Sequence, residues 1–323
     1  MTESNGFEIH FSQEYGSRWE SIFASLKTPP LQVLRQNRFF KSQNQTPESE
    51  KKLIFENCFL PSEKRVEDLE IRDDVFKYYL MDPASVVVGE SIPIKPGDRV
   101  LDMCAAPGGK SLILAEKLFL EAHSDSGELL CNELSNPRRE RLKYILQNYI
   151  PRDKRNSTFI KGIDGNYYGQ REPEKFDAIL LDAPCTGERH LIEDASEFKK
   201  WNLKRSKNNS MRQFSLLSSA WHAVRVGGYV MYSTCSISSA ENDDVIKKLQ
   251  KRRAIEVVQL DLNQKYPFVE KTEFGYQILP DTRLEVPKGP DSLTGAGPDF
   301  RTGAGPMYFS LIRKLDELTT EAL

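Results

Sequence analysis

Between residues 99 and 250, short apolar runs alternate with longer segments of helical spacing, and a parallel sheet with crossover helices is the arrangement that satisfies this order. The spacing predicts strands at Arg99–Cys104, Glu128–Asn132, Thr158–Lys161, Phe176–Asp182 and Tyr229–Ser233. Helices are predicted at Ser111–Phe119, Pro137–Tyr149, Met211–Val224 and Glu241–Gln250. Most of the runs are bounded by Gly, Pro, Asn or Asp, and Pro96-Gly97-Asp98 forms a turn that launches the first strand. The 323 residues suit two domains of unequal size. Residues 1–74 have another texture, with helix-like segments at Tyr15–Leu26 and Pro30–Phe40 and no strand pattern, so a mainly helical N-terminal region is expected before an α/β domain over 75–323.

Composition narrows the classes of function. Lys plus Arg number 45 against 47 Asp plus Glu, a net charge of −2, so any nucleic-acid surface must be a local patch. No apolar run reaches the roughly 18–20 residues of a membrane helix, and the mean hydropathy is −0.53. The first residues carry Glu3, Glu8 and Glu14 and no signal-peptide pattern, so a soluble, cytoplasmic protein is expected, with a mitochondrial location left open. Cys58, Cys104, Cys131, Cys185 and Cys235 form no C-x-x-C pair, which argues against a disulfide framework or a metal site and for a reducing compartment. Leu293–Pro298 and Arg301–Pro306 share Thr-Gly-Ala-Gly-Pro and read as a glycine-rich loop with one duplication.

Ligands of an open parallel sheet bind beyond the carboxyl ends of its strands. The acids Asp102, Glu133, Asp164 and Asp182 fall at or just past such ends. After the first strand comes Cys104-Ala105-Ala106-Pro107-Gly108-Gly109-Lys110-Ser111, a tight turn that opens a helix and lets backbone N–H groups approach a ligand. A P-loop would need glycine where Cys104 stands, which makes a nucleotide triphosphatase the lesser reading, and the dinucleotide pattern Gly-x-Gly-x-x-Gly is absent too. Glu133 nevertheless lies near the spacing of about 20 residues at which an acidic side chain grips a ribose. A ribose site without a pyrophosphate site suggests S-adenosylmethionine. The competing reading makes Glu133 a cap for the helix near Pro137.

Two cysteine loops raise the specificity. Leu181-Asp-Ala-Pro-Cys-Thr186 follows the fourth strand, and Tyr232-Ser-Thr-Cys-Ser236 follows the fifth, with Glu241-Asn242 shortly after. Cys58 and Cys131 read as small buried hydrophobes, whereas Cys185 and Cys235 stand where the sheet presents ligands. With the cofactor turn, Asn132-Glu-Leu-Ser135, Arg138 and Asp164-Gly165 in the same order, the chain resembles the Sun-domain (NSUN) family of RNA cytosine-C5 methyltransferases over roughly Tyr78–Ile312, beginning with Tyr79-Leu-Met-Asp-Pro-Ala-Ser85. The Arg-His pair in the loop Thr186-Gly-Glu-Arg-His190 looks like the organellar-type members, whereas many bacterial relatives have a Gly-Thr-like continuation there, and the chain as a whole looks most like the organellar-type and bacterial ribosomal members.

The resemblance implies a class I methyltransferase fold, Rossmann-like with a seven-stranded, mostly parallel sheet, S-adenosylmethionine as donor and RNA as substrate. Carried over by position, Cys104 to Lys110 would lie along the methionine part of the cofactor. Glu133 would hold the ribose with Arg138 nearby, Asp164 and Gly165 would meet the adenine, and Asp182 would bridge cofactor and base. Cys235 matches the nucleophile and Cys185 the cysteine that assists product release. Such chemistry needs a thiolate to add to carbon 6 of cytosine and make carbon 5 nucleophilic. A thiol is only partly ionised at neutral pH, so positive charge or N–H donors near Cys235 would help. Asp182, when protonated, would support ring nitrogen 3. Cys185, as a thiolate or through a water, would serve the final elimination.

For RNA, the acid-free run Lys199 to Arg212 holds Lys199, Lys200, Lys204, Arg205 and Lys207 with Trp201 interleaved as a stacking candidate, and Arg189 is a candidate phosphate contact. Lys27, Arg35, Arg38 and Lys41 mark a second basic stretch, beside Phe39 and Phe40, which read as core. Ribosomal RNA is the expected substrate, with transfer RNA the alternative. A non-catalytic RNA-binding assembly factor is the reading from another class. A monomer is expected, aided by a protein partner or an assembly intermediate of the ribosome.

Overall fold

A computed structural model of the chain describes residues 6–40, 55, 57–61, 71–72, 74–121, 127–286 and 299–316. Lys41 and the first copy of the glycine-rich repeat, Leu293–Pro298, lie outside the described residues. Helices α1 (Gly6–Tyr15) and α2 (Trp19–Leu26) are followed by short strands β1 (Val33–Gln36), β2 (Cys58–Phe59), β3 (Ile71–Arg72), β4 (Val75–Phe76) and β5 (Tyr78–Met81). Helix α3 (Pro83–Ser91) leads into β6 (Arg99–Asp102), α4 (Gly109–Phe119), β7 (Glu128–Asn132), α5 (Asn136–Tyr149), β8 (Thr158–Lys161), α6 (Tyr168–Arg171) and β9 (Phe176–Asp182). Then come α7 (Glu188–Glu193), α8 (Ala195–Lys199), α9 (Leu203–Ala223), β10 (Val224–Thr234) and α10 (Asp243–Gln250). The chain finishes with β11 (Ile255–Val257), β12 (Glu270–Lys271), β13 (Tyr276–Ile278), β14 (Leu284–Val286), β15 (Asp299–Arg301) and β16 (Met307–Lys314).

The main sheet runs β12-β13-β16-β10-β9-β6-β7-β8, with β11 also paired to β16. From β10 to β8 every pairing is parallel, as the alternating pattern predicts, and β16 then pairs antiparallel with β10. Among the described residues the sheet has nine strands rather than the expected seven, because short antiparallel strands extend the β16 edge. After β6 the chain moves outward to β7 and β8, then returns on the other side of β6 with β9. The order reverses there, and a crevice opens beyond the ends of β6 and β9.

Central strands are covered on both faces, which is why β9 reads Phe-Asp-Ala-Ile-Leu-Leu-Asp with almost no polar interruption. Leu180 faces one core with Val87, Ile113 and Leu118. Its neighbours Ile179 and Leu181 face the other with Leu217, Trp221 and Ile246. Helix ends follow local chemistry. Asp82 caps α3 by accepting from the Ala84 N–H at 2.7 Å, with Pro83 at the first position, and Asn202 caps α9 by accepting from Lys204.

The N-terminal region departs from expectation. Helices form over α1 and α2, but the helix predicted for Pro30–Phe40 is replaced by β1, which pairs antiparallel with β2 and with β5 beyond residue 74. Short apolar runs fit either period, and here a distant partner decides. Phe7, Phe11, Trp19, Ile22 and Leu26 form a third core with Trp201, Ile237 and Leu279. Each large side chain so buried contributes about 1.5–3 kcal/mol.

Candidate active site

The turn after β6 is built to stay open toward a ligand. Gly108 caps α4 with φ of 122°, a conformation that L side chains rarely adopt. A Cβ on Gly109 would come within 2.7 Å of the Tyr79 ring, so the second glycine admits the side chain of β5. Met103 N–H donates to the Leu180 carbonyl and Ala105 N–H to that of Asn132, both at 2.9 Å, which fixes the turn against β9 and β7. Buried Asn132 donates from Nδ2 to the Met103 and Ile163 carbonyls, linking this turn to the Asp164 loop.

Beyond these loops lies a cavity of about 340 Å³ bordered by Glu133, Asp164, Gly165, Pro184, Arg212 and Leu216. Glu133 is 5 % exposed, accepts from the Ser135 N–H at 2.9 Å and lies 3.4 Å from Arg138 Nη1. Ser135, not Glu133, occupies the cap position of α5. Arg138 also donates to the Ala106 carbonyl at 2.7 Å, tying the turn to the acidic wall. Two carboxylates, Glu133 and Asp164, border this slot beyond strand ends, which suits the hydroxyl and amino donors of a ribose and adenine better than an anionic pyrophosphate.

A second cavity of about 700 Å³ adjoins the first and shares Cys104, Arg138 and Pro184 with it. Lys110, Asp182, Cys185 and Cys235 line it. The sulfurs of Cys185 and Cys235 are 2.7 Å apart, and the Cys235 N–H donates to Cys185 Sγ at 3.3 Å. The hydrogen bond with Cys235, then burial, with Glu188 and Glu241 close by, push the Cys185 thiol well above its ordinary range. Asp182 accepts from Lys110 Nζ at 2.7 Å and from Ser233 Oγ at 2.8 Å. Burial alone would push the Lys110 ammonium down, but Asp182, Asp102 and Cys235 together hold it above its ordinary value. Lys110 is thus a fixed positive charge in the cavity that Cys235 also lines.

The basic residues divide. Lys199, Lys200, Lys204, Lys207 and Arg212 are exposed on α8, α9 and the link between them, and Arg212 reaches the cofactor cavity. Lys200 and Arg205 each pair with Glu197. Trp201 corrects the stacking expectation: it is 7 % exposed, with its ring against Phe7 and Phe11, so it anchors the N-terminal helices and has no free face for a base. Arg189 is corrected as well. Its guanidinium is buried and donates to the carbonyls of Ser25, Leu26, Thr28, Gly303 and Gly305, which uses the donors a phosphate would need. Arg35 is likewise buried, paired with Glu116 at 2.5 Å and Glu90 at 3.1 Å, and Phe39 and Phe40 are core. His190 is exposed beside Glu193 at the cavity mouth. The second glycine-rich copy has more structure than a bland loop: Gly305 N–H donates to Asp82, and its carbonyl takes Arg189.

A doubly wound sheet with a glycine turn, an acid at the second strand end and two facing cysteines defines an S-adenosylmethionine-dependent RNA cytosine-C5 methyltransferase of the Sun-domain kind. The chain belongs to the 16S rRNA methyltransferase RsmB/F family, whose model matches residues 91–285, more than half of its length. Among its relatives, the mitochondrial tRNA (cytosine(34)-C(5))-methyltransferase of Mus musculus is 33% identical over 270 residues, 75% of this chain and 73% of that one. The 5-cytosine rRNA methyltransferase NSUN4 of Xenopus laevis is 39% identical over 59% of this chain and 46% of its own. The match to ribosomal RNA small subunit methyltransferase F of Salmonella paratyphi A is 37% identical and spans 54% of this chain and 34% of that one. The chain thus spans under half the length of these ribosomal relatives. A methyltransferase homologue from Pyrococcus horikoshii shares the fold, with a TM-score of 0.70 at 21% identity over 96% of this chain and 94% of its own.

Proposed function

We propose that this chain methylates carbon 5 of a cytosine in RNA, with Cys235 as nucleophile and ribosomal RNA as substrate. The observation that carries the reading is the pair of sulfurs from two strand-end loops, set in a cavity that adjoins the cofactor crevice and holds Lys110 and Asp182. Cys104 to Lys110, Glu133, Arg138, Asp164 and Gly165 would hold S-adenosylmethionine, which supplies an electrophilic methyl group when bound. The Cys235 thiolate, stabilised by the Lys110 ammonium, adds to carbon 6 and moves an electron pair to carbon 5. Asp182, hydrogen-bonded to Lys110, supports ring nitrogen 3 during the addition in its protonated form.

Release requires loss of the carbon-5 proton and cleavage of the carbon 6–sulfur bond. Cys185, held as a thiol, is suited to hydrogen-bond the departing Cys235 thiolate, while a water takes the proton. The upward push on the Cys185 thiol favours the water route over a second thiolate. The target base must leave its stack to enter the cavity, so a loop or an opened helix is the fitting substrate. Residues 1–74, with α1 and α2 braced on α8 and the segment after it, would contribute to the choice of RNA, with a ribosomal assembly intermediate or a protein partner presenting it. The chain acts as a monomer in this reading. Its five free thiols suit the cytoplasm or a mitochondrial matrix, both reducing.

The test is transfer of labelled methyl from S-adenosylmethionine to total RNA separated by size. Label should appear as 5-methylcytosine in small-subunit ribosomal RNA and vanish in Cys235→Ala, whereas Cys185→Ala should accumulate a protein–RNA adduct on denaturing gels. Adduct in Cys235→Ala but not in Cys185→Ala would reverse the roles. Label in transfer RNA, as the name of the mouse relative suggests, would change the substrate and keep the reaction. Cofactor binding with no label in any fraction would favour the assembly-factor reading.

A further inference from the structure

Two carboxylates beneath the cysteine loops are used by none of these steps. Glu188 follows Cys185 and Glu241 follows Cys235, and both are 0 % exposed. Each crosses to the other loop. Glu188 accepts from the Ser236 hydroxyl at 2.8 Å and from the Ile237 N–H at 3.2 Å, next to Cys235. Glu241 accepts from the Thr186 N–H at 2.9 Å and from the Thr186 hydroxyl, next to Cys185. Gln213 of α9 donates both to Glu241, at 2.8 Å, and to the Pro184 carbonyl, at 3.0 Å, bringing a third element into the network. Among the described residues neither carboxylate is ion-paired with Lys or Arg. Burial, reinforced by Glu241, pushes Glu188 up to about 8.

Burying two acids without a counter-ion is costly, and apolar side chains of similar size would hold two loops together at less expense. What a carboxylate offers is room for several donors at once, including backbone N–H groups that no apolar residue can satisfy. The crossing is reciprocal. Neither loop can shift without breaking bonds to the other, so the two move as one piece, and a shift of about 1 Å is enough to cost a reaction about 100-fold.

We propose that Glu188 and Glu241 are positioning residues that clasp the two cysteine loops together and thereby hold Cys185 beside Cys235, an inference that rests on the function proposed above. Glu188→Ala and Glu241→Ala should each lower kcat for methyl transfer by about tenfold or more while KM for S-adenosylmethionine stays within about twofold. Glu188→Gln and Glu241→Gln, which keep size and one acceptor oxygen, should recover much of the loss. The two Ala changes should fail to add, because they break one unit. A second readout needs no RNA: dibromobimane becomes fluorescent when it bridges two thiols, and peptide mapping assigns the bridge. Bridging of Cys185 to Cys235 should slow about fivefold or more in the Ala variants and be rescued in the Gln variants.

Wild-type kcat and bridging in a folded Ala variant would overturn the clasp, as would a loss confined to KM for the cofactor. If the Ala variants fail to fold, Thr186→Val and Ser236→Ala each remove one bond to a clasp carboxylate, along with one local bond, from Asn209 Nδ2 or from the Ser238 N–H. Bridging at the wild-type rate in both would overturn it equally. Should wild-type protein methylate no RNA, the functional reading falls, while slowed bridging in the variants would still support the clasp.

Discussion

The Lys110 ammonium is bonded to Asp182 and interacts electrostatically with Cys235, so in the proposed mechanism one side chain serves both the acid and the nucleophile. Lys110→Met should remove the cation while keeping the stem, and iodoacetamide alkylation of Cys235 near pH 7 should slow several-fold. Alkylation at the wild-type rate would mean that another group activates the sulfur. Burial also gives the protein an uncommon set of acids: Asp82 is raised to about 6, Asp102 to about 7 and Glu188 to about 8. In the unfolded chain such groups titrate near about 4. The folded state therefore keeps protons that the unfolded chain releases between about pH 4 and pH 8, and stability falls as pH rises through that window. The urea midpoint should decline from about pH 5 to about pH 8.5, and Glu188→Gln, which cannot titrate, should flatten the upper part of the curve. A midpoint that rises over this interval contradicts the assignment.

At the scale of elements, Arg189 is the fastener. From the start of α7 it gathers carbonyls at the end of α2 and from the glycine-rich loop, joining the N-terminal helices to the segment that carries Cys185. Arg189→Ala would leave those carbonyls without partners and should cost about 2–4 kcal/mol, seen as a lower denaturant midpoint. Arg189→Lys should not restore it, because three donors on a point charge cannot match a planar fork. A midpoint unchanged in Arg189→Ala would show that the apolar contacts of α1 and α2 suffice. The same contrast explains what could be read beforehand. Strands β6, β7, β9 and β10 were legible because burial writes a largely continuous apolar run, and Cys185 and Cys235 because they follow the ends of such runs, whereas the edge strand β8 is partly exposed along its length and was marked by its β-forming residues alone. Strand β1 was not, since its partner β5 is distant in sequence. Trp201 misled because its neighbours are lysines, while Phe7 and Phe11, which cover it, lie near the other end of the chain. Glu188 and Glu241 carried no signal that separates a buried acid from the ordinary exposed kind.

For the molecule as a whole, a net charge of −2 gives no general attraction for a polyanion, so RNA must be drawn to a local field. With Arg189, Arg35 and Trp201 occupied inside the protein, the field proposed for RNA is that of Lys199, Lys200, Lys204, Arg205, Lys207 and Arg212 along α8, α9 and the link between them. Their position follows from the fold, since this segment joins β9 to β10 and therefore passes between the two cysteine loops, with Arg212 at the cofactor cavity. Glu197 offsets part of the charge by pairing with Lys200 and Arg205, so the patch is weaker than the bare count of cations suggests. Reversing Lys204 and Arg205 to Glu should weaken RNA binding across sequences. It should also lower the slope of log affinity against log salt by about 1–2, because each phosphate contact contributes about 0.7–0.9. Stability should change little, since Lys204 is exposed and the Arg205 pair lies at the surface. A slope equal to that of the wild type would remove this face from the RNA path and leave Lys27 and Arg38, the exposed remainder of the N-terminal basic stretch, as the surface to reverse next.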